Sequence, residues 1–185
     1  IGADPLDLAG LTGIVDYTPG DLTLTARAGT PLAEIREATG IHGQWVALSP
    51  WGGDDGSLGA TVATATAGPV AGSLGAPRDV VIGVEVVTGS GDVIRGGGRV
   101  VKNVAGFDLT RLMVGAWGTL GVITEVSVRL RALPDRDVTF ALPAPTTAAA
   151  LAELLAKLRT AGVAPLAPEL VSAAPARPVS LGPRA

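Results

Sequence analysis

The chain has 185 residues, of which 47% are hydrophobic, so it can bury a sizeable core and hold one domain plus part of another. Only 17% of the residues are charged and the net charge is −3, which excludes disorder of the whole chain and gives no electrostatic case for a nucleic-acid partner. The absence of cysteine excludes disulfides, thiol catalysis and iron–sulfur ligation within this sequence. Residues 1–95 carry 4 basic and 11 acidic side chains, whereas residues 96–185 carry 10 basic and 6 acidic ones. The basic second half faces an anionic ligand, an acidic partner or simply solvent.

The first predicted elements are a strand and a helix. Apolar and polar or small residues alternate over residues 22–28, which predicts a strand with one buried face. Gly29 ends this strand, and Thr30 followed by Pro31 predicts a helix that Thr30 caps and that runs to about Thr39.

A run of small residues follows. After a short extended piece at 46–48 and a loop over 49–59, residues 60–67 have only small or β-branched side chains. A helix capped by Ser57 is the favoured interpretation, with a strand as the alternative. Backbone N–H groups at such a helix start would suit a phosphate or the polar edge of a cofactor, although an ordinary capped turn looks the same in sequence. A second loop is predicted over residues 68–79.

The middle of the chain predicts a hairpin and a glycine-rich loop. Further predicted elements are a strand at 80–88 paired with 93–95, a loop at 102–106, a short helix at 108–113 and a strand at 122–131. Gly115, Gly118 and Gly121 precede that last strand at intervals of three. In a dinucleotide fingerprint the glycines instead follow a strand and open a helix. This loop would let backbone amides approach a flat ring or a ribose.

The sequence beyond Pro134 predicts the opening of a second α+β domain. A strand is expected at 137–142 and a helix at 148–160, with Thr146 or Thr147 as its cap. Residues 169–173 are a candidate for a returning strand. No apolar run approaches the roughly 20 residues that span a bilayer.

Candidate catalytic and metal-binding side chains are few. His42 is the only histidine, and we interpret it as a surface residue, since one histidine without cysteine offers too few ligands for a zinc site. Asp54 and Asp55 are predicted to be turn and cap residues rather than a metal site or an acid pair. Trp51 and Trp117 lie in glycine-rich loops, where wedging against the core is favoured over stacking on a bound ring.

Four segments in order resemble one family. They are the strand and helix at 16–32, Gly75-Ala76-Pro77-Arg78-Asp79, the run from Val101 to Asp108, and the run from Gly115 to Ile123. Over about residues 4–135 this set is similar to the FAD-binding domain of the vanillyl-alcohol oxidase type. Within that family, Lys-Asn-Val-Ala-Gly-aromatic-Asp at 102–108 most resembles E subunits of glycolate oxidases.

The resemblance implies a fold and a domain division. It implies an α+β, PCMH-type FAD-binding domain of two α+β subdomains with FAD between them over residues 1–133. Residues 134–185 would begin a C-terminal α+β cap domain. The family's Gly-rich pyrophosphate loop, expected upstream of Asp7, and most of the cap domain are absent from this sequence.

The resemblance also implies a cofactor site for FAD. Pro50 and the start of the helix would lie along the flavin and pyrophosphate, Gly75 and Asp79 near the cofactor, and the glycine loop would bind through its main chain. Lys102 would lie near the flavin pocket or a subunit interface. The implied cofactor-binding residues are Pro50, Ser57, Leu58, Gly59, Ala60, Thr61, Gly75, Asp79, Gly118, Gly121, Val122 and Ile123. No metal is implied.

The implied activity is FAD-dependent oxidation of a small 2-hydroxyacid to the 2-oxoacid. Electrons would pass to other subunits of a glycolate oxidase-type complex, namely a flavin subunit and an iron–sulfur subunit. The implied location is cytoplasmic, with attachment to the inner membrane through partner subunits as one option. A subunit that keeps this fold but only scaffolds a catalytic sister is the alternative, because no general base can be identified.

Overall fold

A computed structural model describes residues 6–50, 53–98, 108–140, 143, 145–162 and 164–169. The chain divides into two compact units, residues 1–133 and 134–185. The elements of the first unit are β1 (Ile14–Thr18), β2 (Thr23–Arg27), α1 (Leu32–Gly40), β3 (Gln44–Val46), α2 (Leu58–Thr64), α3 (Ala71–Leu74), α4 (Pro77–Val80), β4 (Val81–Val87), β5 (Val93–Gly97), α5 (Leu109–Met113) and β6 (Val122–Ala132). Short 3-10 turns lie at Pro19–Asp21 and Gly53–Asp55. The second unit contains α6 (Ala148–Thr160).

One antiparallel sheet forms the frame of the first unit. Its strand order is β1-β2-β6-β4-β5, and β3 pairs with the C-terminal part of β6. The 11-residue β6 is the centre of this sheet, where Val126 lies opposite Ala26 on β2 and Val84 on β4. Val126 and Val128 are fully buried while Arg129 is exposed, as expected of a strand with one face in a core.

Helices α1 and α2 supply the other half of the core. Leu32 and Ile35 of α1 and Leu58 and Val62 of α2 are completely or almost completely buried with the sheet residues. Their spacing of three and four places each pair on one helix face. The packing fixes both helices against the sheet.

Most predicted elements of the first unit are confirmed. The strand at 22–28, the hairpin strands after residue 80 and the strand at 122–131 appear as β2, β4, β5 and β6. The choice of a helix for residues 60–67 is also confirmed, since α2 begins at Leu58 and the Ser57 hydroxyl accepts from the Ala60 N–H at 3.2 Å.

Three predictions are wrong. Thr30 does not cap α1, because its buried hydroxyl accepts from the Gly13 N–H at 3.0 Å and Pro31 takes the cap position without a side-chain bond. The loop predicted over 68–79 contains the short helices α3 and α4, since Pro77 starts a helix rather than bounding a loop. Residues 137–140 form no strand. The loop predicted at 102–106, residues 141–142 and residues 170–173 of the returning strand lie outside the described residues.

The regular element described in the second unit is helix α6. Thr147 rather than Thr146 caps α6, accepting from the Ala150 N–H at 3.2 Å. Glu153 and Lys157 form an ion pair of 2.7 Å across one turn. Within the ranges that the structure describes, no helix combines the length and the apolar character needed to cross a membrane.

Candidate cofactor site

Helix α2 lies very close to strand β2 because residue 59 is glycine. The Gly59 N–H donates to the Ala28 carbonyl oxygen at 2.7 Å. A Cβ at position 59 would lie 2.6 Å from the Ala28 Cβ and 2.8 Å from the Ala28 oxygen, closer than real contacts allow. Helix–strand packing therefore requires glycine here, independently of any ligand.

The other N–H groups at the start of α2 also have protein partners. The Leu58 N–H donates to the Thr30 carbonyl oxygen at 2.9 Å, and the Ala60 N–H donates to the Ser57 hydroxyl. The Thr61 N–H and hydroxyl both donate to the Ser57 carbonyl oxygen, at 3.1 and 3.0 Å. Of the two interpretations that the sequence left open for this helix start, the hydrogen bonds therefore favour the ordinary capped turn over a site of exposed donors.

The end of α2 holds the glycine loop, which we define as residues 115–121. The Gly115 N–H donates to the Val62 carbonyl oxygen at 3.0 Å, and the Trp117 N–H donates to that of Ala63 at 2.8 Å. Ala65, which ends the helix, takes a left-handed conformation with φ of 51°. These two hydrogen bonds join residues that are 53 and 54 positions apart, so the structure brings together α2 and the glycine loop, two segments distant in sequence.

The glycine loop carries main-chain N–H groups for which the described residues supply no acceptor. Across the described part of the chain, the N–H groups of Gly118, Leu120 and Gly121 make no hydrogen bond. Gly118 has φ of 73°, and apart from its two chain neighbours no heavy atom of the described residues lies within 4 Å of where its Cβ would be. The loop therefore offers open space lined by backbone donors, which suits a ligand rich in oxygen acceptors.

The residues after the loop are fixed by the sheet. A Cβ on Gly121 would lie 2.8 Å from the Val87 carbonyl oxygen of β4. Val122 and Ile123 pair with Val87 and Val86, and the Ile123 side chain is buried in the core. A ligand at this point would meet their main chain rather than the isoleucine side chain.

Gly75 and Asp79 form a separate turn. Gly75 has φ of 100°, and the Asp79 carboxylate accepts from the Ala76 N–H at 2.9 Å at the start of α4. Asp79 also lines a polar cleft of about 340 Å³. Its described lining residues are Arg78, Asp79, Val81, Ile82, Gly97, Asp108, Thr110, Arg111 and Arg129. No hydrogen bond within the described residues joins this turn to the glycine loop.

Pro50 lies beside a close approach that the sequence analysis missed. A Cβ on Gly68 would overlap the Ser49 carbonyl oxygen, so this glycine holds the chain after α2 against residue 49. The sequence does carry a sign of this close contact, namely Gly68-Pro69 directly after a run of small residues. The left-handed Ala65 carried no such signal, since glycine or asparagine is the usual choice there.

The remaining candidates have structural partners. His42 is exposed and packs edge-on against the Tyr17 ring, with centroids 5.5 Å apart. Burial raises the pKa of Tyr17, whose hydroxyl donates to the Gln44 side-chain oxygen at 3.0 Å. Asp54 pairs with Arg36 at 2.7 Å, in line with a turn residue. No group of three acidic or histidine side chains within the described ranges is placed to hold a metal ion.

Trp117 differs from expectation. Trp117 is 72% exposed, so the prediction that it wedges its loop against the core is wrong. The loop is held by backbone hydrogen bonds instead, and the indole is left free for another contact. Trp51 and Lys102 lie outside the described residues.

Comparison with known proteins identifies the family and the fold of this chain. A family model described as an FAD binding domain matches residues 4–97, just over half of the chain. An alkyldihydroxyacetonephosphate synthase structure aligns with a TM-score of 0.66 over 85% of this chain and 28% of that one, at 21% identity, which shows the shared fold. The chain belongs to the FAD-binding domain family, with the α+β fold that the resemblance implied, and FAD is the family's cofactor.

Three named proteins are similar to this chain in sequence. The chain is 45% identical over 135 residues to the glycolate oxidase subunit GlcE of Escherichia coli, covering 72% of this chain and 39% of that protein. It is 38% identical over 126 residues to the mitochondrial cytochrome-type D-lactate dehydrogenase of Arabidopsis thaliana, covering 68% of this chain and 22% of that protein. It is 36% identical over 126 residues to the glycolate oxidase subunit GlcD of Bacillus subtilis, covering 68% and 27%. The chain spans less than half the length of each of these relatives.

Proposed function

We propose that this chain is the FAD-binding part of a glycolate oxidase-type flavoprotein that oxidises a small 2-hydroxyacid to a 2-oxoacid. The observation that carries the proposal is the glycine loop, held by α2 and presenting the N–H groups of Gly118, Leu120 and Gly121. Similarity to GlcE, GlcD and a D-lactate dehydrogenase supports the substrate class. When bound, FAD supplies the acceptor for the hydride that leaves C2 of the hydroxyacid.

The residues of this chain would bind and orient the cofactor. The donors of the glycine loop would contact FAD oxygen atoms through main chain, together with Val122 and Ile123. Pro50, Ser57 and Ala60 would line the cofactor through their exposed atoms, since the α2 amides are occupied. Leu58, Gly59 and Thr61 are buried and would act by holding α2 in place. Gly75 and Asp79 would shape the neighbouring turn. Residues 1–133 would form the FAD-binding domain and 134–185 the start of an α+β cap domain.

We further propose that electrons pass to a flavin subunit and an iron–sulfur subunit of the same complex. The similarity to two different glycolate oxidase subunits supports a complex of several subunits, and the iron–sulfur subunit follows only from the family resemblance. A cytoplasmic location, with attachment to the inner membrane through those subunits, belongs to the same proposal.

A scaffold subunit is the second candidate function. It is favoured by the lack of a candidate general base, since the only histidine packs against Tyr17 at the surface. In that case the fold and FAD site would support a catalytic sister subunit, and this subunit would reduce no flavin by itself.

An absorbance spectrum of the complete polypeptide encoded by its gene tests the first proposal. We expect a flavin spectrum that bleaches on anaerobic addition of glycolate or D-lactate. A colourless protein that gains no thermal stability from added FAD would refute FAD binding. A flavin that neither acid bleaches, in a complex that still oxidises them, would favour the scaffold.

A matched pair of variants tests the site. Gly118→Asn keeps a left-handed backbone accessible but places a side chain in the open space of the loop. Gly43→Asn makes the same change at φ of 62°, also with no atom within 4 Å, in the turn after α1. We expect FAD loss in the first variant and wild-type flavin content in the second. Equal flavin content in both would place the cofactor elsewhere.

A further inference from the structure

The exposed indole of Trp117 is not explained by the packing of the chain. A tryptophan side chain usually buries 150–250 Å², yet this one is 72% exposed on the outside of the glycine loop. By contrast, the neighbouring Met113 and Val114 are in the core. An apolar ring held in solvent is a candidate contact surface.

The backbone does not explain the choice of tryptophan either. Trp117 has φ of 54°, a left-handed conformation that is costly for a bulky residue and that glycine or asparagine adopts more easily. Its N–H is fixed on the Ala63 carbonyl oxygen, and Gly115 is fixed on Val62. The indole is therefore carried by a preorganised loop at a position where the backbone alone favours another residue.

Open space and hydrogen-bond donors lie directly beside the indole. Gly118 follows it with no heavy atom within 4 Å of where a Cβ would be. The unused N–H groups of Gly118, Leu120 and Gly121 belong to the same short loop. A flat apolar surface next to main-chain donors matches a ligand that combines a planar ring with oxygen acceptors, as a flavin nucleotide does.

We propose that the Trp117 indole packs against a planar ring of the FAD, so that it acts as a cofactor-binding side chain. This inference rests on the proposed binding of FAD by the glycine loop. The ring is either the isoalloxazine or the adenine, because both present the same flat aromatic face.

Cofactor titration of the complete polypeptide, stripped of flavin, tests the inference. Trp117→Asn removes the ring and keeps the left-handed backbone, Trp117→Phe keeps an aromatic face, and Ile41→Ala is the control for an exposed apolar residue outside the glycine loop. We expect the Kd for FAD to rise about tenfold in Trp117→Asn, which corresponds to about 1.4 kcal/mol. We expect it to stay within about twofold of wild type in the other two.

Tryptophan fluorescence gives a readout that does not depend on activity. The difference in fluorescence between wild type and Trp117→Phe reports the Trp117 indole, and FAD should quench it. Quenching by riboflavin alone assigns the isoalloxazine, and quenching by ADP alone assigns the adenine. If that signal is already shielded from acrylamide before FAD is added, another segment covers the indole and the inference is overturned.

The outcomes separate this inference from the proposed function. FAD binding with equal affinity in wild type and Trp117→Asn would overturn the role of Trp117 and leave the FAD site standing. Failure of the wild-type protein to bind FAD would overturn both.

Discussion

Substitution of Gly59 by alanine tests whether the contact between α2 and β2 controls the whole site. The added Cβ would lie 2.6 Å from the Ala28 Cβ and 2.8 Å from the Ala28 carbonyl oxygen, so the helix must move away from the strand. Forced repacking of this kind costs about 1–3 kcal/mol. Lengthening the 2.7 Å hydrogen bond between the same residues adds about 1 kcal/mol. The better helix propensity of alanine offsets up to about 1 kcal/mol.

The expected net loss in free energy of unfolding is therefore about 1–3 kcal/mol. Urea titration of the complete polypeptide measures it. Gly40→Ala is the matched control, because Gly40 is the last residue of α1 and no atom lies within 4 Å of its added Cβ. The control should be neutral or more stable by up to about 1 kcal/mol.

The same movement should weaken FAD binding. The glycine loop is held by the Val62 and Ala63 carbonyl oxygens, so a displaced α2 carries the loop with it. We expect flavin content to fall in Gly59→Ala and to stay unchanged in Gly40→Ala. The two variants each add one methyl group, into a tight contact at Gly59 and into open space at Gly40. Equal urea midpoints would therefore show that the contact between residue 59 and Ala28 does not limit stability.

Two further predictions concern Thr30, which is buried, and Tyr17, which is partly buried. The Thr30 hydroxyl bonds to the Gly13 N–H at 3.0 Å and to the Gly13 carbonyl oxygen at 3.3 Å, and Thr30→Val removes both bonds. The free energy of unfolding, measured by urea titration, should therefore fall by about 1–3 kcal/mol. An unchanged value would mean that water replaces the hydroxyl. Burial raises the pKa of Tyr17, so the unfolded chain ionises first and stability should fall as the pH rises above about 10. Unfolding measured from pH 8 to 11 should show a shallower decline in Tyr17→Phe, and parallel curves would contradict this assignment.

The regular elements could be predicted because they depend on local patterns. Alternation over 122–131 was enough to identify the long central strand, and small residues behind Ser57 were enough to identify α2. Thr147 was one of two predicted caps for α6, and the structure selects it. Each of these signals comes from neighbours within four residues.

The failures depend on contacts between distant residues. Thr30 has the composition of a helix cap, but its hydroxyl bonds to Gly13, 17 residues earlier in the chain. The sequence also left the start of α2 open between an anion site and a capped turn, and the choice is made by Ala28 and Thr30, which follow β2 and accept from two of its N–H groups. A competing partner of this kind leaves no mark in the local sequence.

The site therefore depends on two classes of glycine that look alike in sequence. At Gly59, Gly68 and Gly121 a side chain would strike backbone of this chain, so these positions are required for the fold whether or not a cofactor binds. At Gly118 no described residue occupies the space, and the left-handed backbone with φ of 73° is what disfavours a side chain. Asparagine tolerates that backbone, so Gly118→Asn can separate cofactor binding from folding, whereas substitutions at the other three change both together. This distinction is why the glycines of this sequence identify the fold more securely than they identify the atoms that touch FAD.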